Sequence, residues 1–239
     1  MRCQPFLTCS TYLFLFLLAA PLVAQTPSTS TSEAEAPRFK APEHPITAEQ
    51  MQSYFRLCHI PSVSRGLTHE KMEAQRKQLP AWYPPAVWDE IEDAIDKIDL
   101  PEVGLPVYQK YMSAERAAFL IQLFSMPEGR QIVSAMVDAM VRAQHAGATP
   151  EEPHKLALTY ISPEENRETA HLVNKLSPAE KEKIEAHYSD LKKMQPMLAQ
   201  LQREYSLAVI DKQTQLIKEI TEKHQADLRE AKRNFNAGH

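Results

Sequence analysis

Through most of the chain apolar residues return every three or four positions, the period of a helix with one buried face. This pattern predicts helices over Ala48–His59, from about Ser64 to Leu79, over Pro85–Ile98, and around Glu102 to Met112. In the third, Trp88, Ile91, Ile95 and Ile98 share a face opposite Asp89, Glu92, Asp93 and Asp96. Start signals support the pattern: Thr47 with Gln50, Ser162 with Glu165 and Ser177 with Glu180 have the spacing of a capping box. Pro163 and Pro178 stand at the first helical position, where a missing N–H costs nothing. Few segments alternate as strands do, and the chain holds only 5 glycines. The expected fold class is all-α: an N-terminal helical bundle built around helical hairpins, followed by a helical hairpin with a long C-terminal helix.

The densest apolar run, Tyr111 to Met136, is interrupted by Met126-Pro127-Glu128-Gly129. Ser113 is placed to cap a helix whose Ala117, Leu120, Ile121 and Phe124 face inward. The chain is expected to turn at Ser125, with Pro127 and Glu128 opening the next helix and Ser125 to Glu128 again at capping-box spacing. Gly129, without a side chain, would let the preceding helix approach closely. Ser113, Phe124, Ser125, Pro127, Glu128 and Gly129 thus read as a structural corner, in preference to an anion site built from exposed N–H groups and Arg130.

The same stretch resembles the signature of a family of secreted bacterial helical domains, domain of unknown function 2059. That pattern runs aromatic, Thr/Ser, Pro, acid, Glu, Leu, then Phe-Tyr-x-Ser/Thr-Pro-x-Gly-x-Lys. Ser113, Glu115, Phe124, Pro127 and Gly129 match it, whereas Arg116, Leu123, Met126 and Gln131 depart from it. The resemblance covers roughly Thr47 to Ala146 and implies a secreted helical domain; it carries no catalytic residues with it.

The remaining organisation follows from composition. Thr11 to Ala20 is an apolar run behind Arg2, too short to span a membrane, and it ends in small residues at Ala24. It reads as a secretory signal over residues 1–24, with an uncleaved anchor as the alternative. Residues 25–46, rich in Ser, Thr, Pro and Glu, are expected to form a disordered linker. A helical domain follows over 47–146, a Pro-containing linker over 147–154, and a C-terminal helical hairpin or long helix over 155–239. A shift of 64 residues lays Ser177 and Glu180 near Ser113 and Arg116, so the C-terminal segment is a possible degenerate repeat.

From Pro196 to Phe235 a single helix is expected, about 60 Å long at 1.5 Å per residue. Ile210, Thr214, Ile217, Thr221, His224, Leu228, Ala231 and Phe235 alternate spacings of four and three, the seam of a weak coiled coil. Ile210, Ile217, His224, Leu228 and Phe235 therefore form a candidate partner seam. A helix so long and polar is expected to stand out as an arm or to dock on a protein partner, including a second copy of itself.

Charge and chemistry narrow the function. The chain carries 27 Lys and Arg against 31 Asp and Glu, a formal net charge of −4, leaving no basic surplus for nucleic acid. Cys3 and Cys9 lie in the leader, so only Cys58 remains afterwards and no internal disulfide can form. Cys58 shares an apolar stripe with Met51, Tyr54 and Phe55, which marks a buried thiol; neighbouring His59 points elsewhere on a helix and makes no dyad with it. Trp82 and Tyr83, in a Pro-rich connector, read as a lid over the core.

Glu168 and His171 have the Glu-x-x-His spacing of carboxylate-bridged metal bundles, but such a site needs a second motif and two further Glu. Glu151 and His154 repeat the spacing only inside the Pro-rich linker. His69-Glu70 lacks the second His of a zinc protease, and there is neither a Gly-rich phosphate loop nor Gly-x-Ser-x-Gly. No catalytic residue, cofactor or metal is assigned. The expected function is a non-catalytic protein-interaction module of the cell envelope. The alternatives are a metal-dependent enzyme or metal-binding bundle using Glu168 and His171, or peripheral attachment to a membrane surface by the C-terminal amphipathic helix. The balanced charge of that helix disfavours lipid.

Overall fold

The structure is a computed structural model that describes residues 39–145, 167, 171 and 174–237. Its helices are α1 (Ala48–Leu57), α2 (Ile60–Arg76), α3 (Pro85–Asp96), α4 (Leu100–Tyr108), α5 (Ala114–Ser125), α6 (Pro127–His145), α7 (Pro178–Lys223) and α8 (Gln225–Ala237). Among the described residues there is no strand, and the fold is all-α as the periodicity predicts. Ser162, Glu165, Glu168, Glu151 and His154 lie outside the described residues. His171 is helical and exposed.

Local chemistry sets the helix starts. The Thr47 hydroxyl accepts from the Gln50 N–H while the Gln50 side chain accepts from the Thr47 N–H, closing a capping box. Asp99 caps α4 through the Glu102 N–H, and Ser113 caps α5 through the Arg116 N–H. Ser177 and Glu180 close a second box at α7, with Pro178 in the first turn. Between α1 and α2 the chain turns through Cys58 and His59, and His59 adopts φ 55°, a left-handed conformation that L-residues take singly rather than in runs.

α1 is the hub of the bundle. Met51, Tyr54 and Phe55 are buried on it, and it packs against α2, α4 and α5. Each such large side chain contributes about 1.5–3 kcal/mol by leaving water. α2 is tied to α3 by Arg76, which reaches Asp89 at 2.7 Å and Glu92 at 3.2 Å.

Residues 39–46, the end of the linker expected over 25–46, pack against the bundle. Phe39 packs edge-on to Tyr111, and Ile46 is wholly buried. The Ile46 N–H donates to the Met112 carbonyl at 2.9 Å and the Ala114 N–H to the His44 carbonyl at 2.8 Å, a short antiparallel pairing around Pro45 and Ser113. Ser and Pro content marked the segment as polar, whereas backbone pairing with the α4–α5 connector is invisible to composition.

At the corner, α5 and α6 form a hairpin with Met126 alone between them. Gly129 is buried, and a Cβ built on it would lie 2.0 Å from the Leu123 carbonyl oxygen. The cap differs from the expected Ser125–Glu128 box. The Ser125 hydroxyl instead donates back to the Ile121 carbonyl at 2.6 Å, because Ser125 is still the last residue of α5.

The largest departure is at the C-terminus. α7 starts at Pro178, continues through Pro196 and ends at Lys223. It does not stand away as an arm: it packs on α4 and α3. Met197, Leu198, Leu201, Tyr205, Val209 and Ile220 are buried in the same core as α1. The two halves of the chain thus share one hydrophobic core.

Candidate functional site

α7 has two faces, and its inner one is consumed by the fold. Tyr205 inserts between α1 and α4, stacking edge-on to Phe55 and Tyr108 with ring centroids 5.7 Å away in each case. Gly104 on α4 makes room: a Cβ there would meet Tyr205 Cε2 at 2.9 Å and Met51 Cε at 2.8 Å. The fit is tight but not fully satisfied, since the buried hydroxyls of Tyr108 and Tyr205 and the side-chain Oε1 of Gln200 have no hydrogen-bond partner among the described residues. Cys58 lies in the same layer, buried and hydrogen-bonded with Tyr54; burial pushes its thiol well above the ordinary range, away from the thiolate form. His59 is exposed on the other side of the turn.

Beside Tyr205, Glu204 accepts from Lys110 Nζ at 2.8 Å, from Gln200 Nε2 at 3.1 Å and from the Tyr111 hydroxyl. Burial alone would raise the pKa of this carboxyl. The donations from Lys110, Tyr111 and Gln200 outweigh it and hold Glu204 below the usual carboxylate range. Burial, together with the Glu204 charge, pushes the Tyr111 phenol upward.

The outer face of α7 carries Leu207, Ile210, Thr214, Ile217 and Thr221 at alternating spacings of three and four. Leu207 is 50% exposed and Ile217 38% exposed, and they are the exposed large hydrophobics among the described residues. Of the predicted seam, Ile210 is half-buried and Ile217 lies on this face, whereas His224 turns toward α3 and Leu228 and Phe235 belong to a separate helix. The seam is therefore not one continuous stripe. It is interrupted at His224, the residue between α7 and α8, with φ −97° and ψ 16°.

The interruption is held by charges. His224 Nε2 is 2.8 Å from Glu90 on α3, and Nδ1 is 2.9 Å from Asp227 on α8. Lys223 Nζ donates to the other oxygen of Glu90 at 2.7 Å. Hydrogen bonds from Lys223 and then His224 hold the Glu90 carboxyl below its ordinary value, and those to Asp227 and Glu90 raise that of the His224 imidazole. The two ring nitrogens face opposite ways, so Glu90 and Asp227 do not converge with the imidazole on a common point where a metal could sit. Farther along α8, Lys232 Nζ lies 5.6 Å from the centre of the Trp82 ring, a cation–π contact. Tyr83 packs against the core as a lid would, while Trp82 receives α8.

Leu207 was missed by the sequence reading, although it extends the four-and-three series one step before Ile210. Glu90 carried no signal: on a helix rich in acids, only the tertiary structure singles out the carboxylate facing His224. None of the described helices is long and apolar enough to cross a membrane, and among the described residues no three potential metal ligands cluster. No family model matches the chain, and neither a curated protein nor a solved structure is significantly similar to it.

Proposed function

We propose that this chain is a non-catalytic helical interaction module that acts outside the cytoplasm, in the cell envelope or after secretion, and binds a protein through the outer face of α7. The observation that carries the reading is the aligned exposure of Leu207 and Ile217, with Ile210 between them, on a helix whose opposite face is already spent on the core. Among the described residues Leu207 and Ile217 are left exposed, and apolar side chains at coiled-coil spacing fit a partner helix. Asp211 and Lys218 border the stripe with one charge of each sign, which suits a protein better than an anionic lipid surface. The export setting rests on the leader-like residues 1–24 and on the resemblance around Ser113 to Gln131 to a family of secreted domains.

The test is crosslinking capture from an envelope fraction, comparing residues 25–239 with the same protein carrying Leu207→Glu and Ile217→Glu. A partner retained by the first and lost by the second, with equal helicity in both, supports the interface. Equal capture by both would move binding to another surface.

A further inference from the structure

We propose that His224 is a protonation-dependent latch: as an imidazolium it bridges Glu90 and Asp227 and holds α8 on α3 and Trp82, and as a neutral ring it releases α8. The argument starts from the number of protons. A neutral imidazole carries one N–H and can donate to one carboxylate only, leaving its second nitrogen lone pair facing the other. Here both nitrogens face carboxylates at hydrogen-bond distance, 2.8 Å and 2.9 Å, so the observed arrangement is complete only when both are protonated. The side chain is 22% exposed, and the partners it would lose are on different elements.

The charged groups facing it are Glu90 from α3, Asp227 from α8 and its neighbour Lys223 on α7. Lys223 opposes the imidazolium, but it also binds Glu90, and the two carboxylates prevail: the net effect is a raised imidazole pKa. A group whose native pKa exceeds its unfolded value, about 6.5 for His, stabilises fully below that value. The stabilisation is lost as pH rises through the native pKa. Acid therefore closes the latch and mild alkali opens it.

The position of the latch decides what opening does. Hydrogen bonds already run across the break, from the His224 N–H to the Ile220 carbonyl and from the Leu228 N–H to the His224 carbonyl, both at 3.0 Å. Once the ring is free of Glu90, α7 and α8 need little rearrangement to run on as one helix. Leu228, Ala231 and Phe235 would then fall in line with Ile210 and Ile217 and lengthen the outer stripe. This last consequence rests on the proposed function; the latch itself does not.

Hydrogen exchange of α8 amides between pH 6 and pH 8, corrected for intrinsic rates, reads the latch directly. In the full chain the opening constant of α8 should rise through this range, by up to about tenfold for each unit by which the native pKa exceeds the unfolded one. His224→Gln should abolish the pH dependence. Glu90→Gln should move the His224 ring titration, followed by NMR, downward. Protection of α8 that is equal at both pH values in the wild type, or a pH dependence that survives in His224→Gln, overturns the latch. Ile217→Glu separates the two proposals, because it should remove partner binding and leave the α8 transition untouched.

Discussion

Two glycines inside helices should respond to the same substitution with opposite signs. Gly66 lies exposed in α2, and a Cβ built there meets nothing within 4 Å. Alanine there restricts the unfolded chain and should stabilise the protein by about 0.5–1 kcal/mol. Gly129 would gain the same propensity, but its Cβ would sit 2.0 Å from the Leu123 carbonyl oxygen, 2.9 Å from the Leu123 carbonyl carbon and 3.0 Å from Phe124 Cα. Comfortable C···O approaches are about 3.3 Å or more, so the α5–α6 corner must open by roughly 1.3 Å. All three obstacles are backbone atoms, which no rotamer change can move aside. Overpacking of this kind costs about 1–3 kcal/mol or more, which exceeds the propensity gain.

Since 1 kcal/mol shifts Tm by roughly 2–4 °C for a chain of this size, Gly66→Ala should raise Tm by about 1–4 °C while Gly129→Ala lowers it by several degrees. Thermal unfolding followed by far-ultraviolet circular dichroism measures both. A stabilising or neutral Gly129→Ala would refute the close-packed corner, and a destabilising Gly66→Ala would show that helical propensity does not govern the open site.

Further outcomes follow from the core and the polar ties. Tyr108→Phe and Tyr205→Phe each remove a buried hydroxyl without a partner, so each should leave stability unchanged or raise it by up to about 1 kcal/mol in urea unfolding; a clear loss would mean the hydroxyl is satisfied in solution. The Cys58 thiol, buried and with its pKa pushed up, should resist an aromatic disulfide reagent in the native protein and react only as the chain unfolds, so an immediate stoichiometric reaction would contradict its burial. Glu204 is held below its unfolded pKa of about 4.3; its contribution is full above that value and is lost as pH falls through the native one. The Tm difference between wild type and Glu204→Gln should accordingly be larger at pH 7 than at pH 3, and a difference independent of pH would assign the effect to shape rather than charge.

Helix existence was legible because it depends on nearest neighbours along the chain. The boxes at Thr47 and Ser177, the cap at Ser113 and the apolar stripes of α1 and α3 need only residues three or four positions apart, and each stands in the structure where its spacing puts it. The corner was legible for the same reason, with one error. Ser125 had the spacing of a cap, but α5 extends through it and its hydroxyl returns to the Ile121 carbonyl. Helix ends depend on competition between two adjacent helices, and spacing alone does not resolve it.

The C-terminal helix marks the division most clearly. Its heptad-like series was written in the sequence, but the single helix expected from Pro196 to Phe235 is two, Pro178–Lys223 and Gln225–Ala237. The arm expected to stand out or to dock on a partner lies instead on the chain's own core. Which surface was a tertiary decision. Tyr205, outside the predicted seam, proved to be the anchor because Gly104, a hundred residues earlier, leaves a hollow of the right depth on α4. The seam was drawn through His224 as if the helix were straight, yet Glu90 turns that residue aside. Sequence periodicity determines which side chains share a face. It cannot say which of two faces meets the core, because that depends on shape and charge complementarity between segments far apart in the chain.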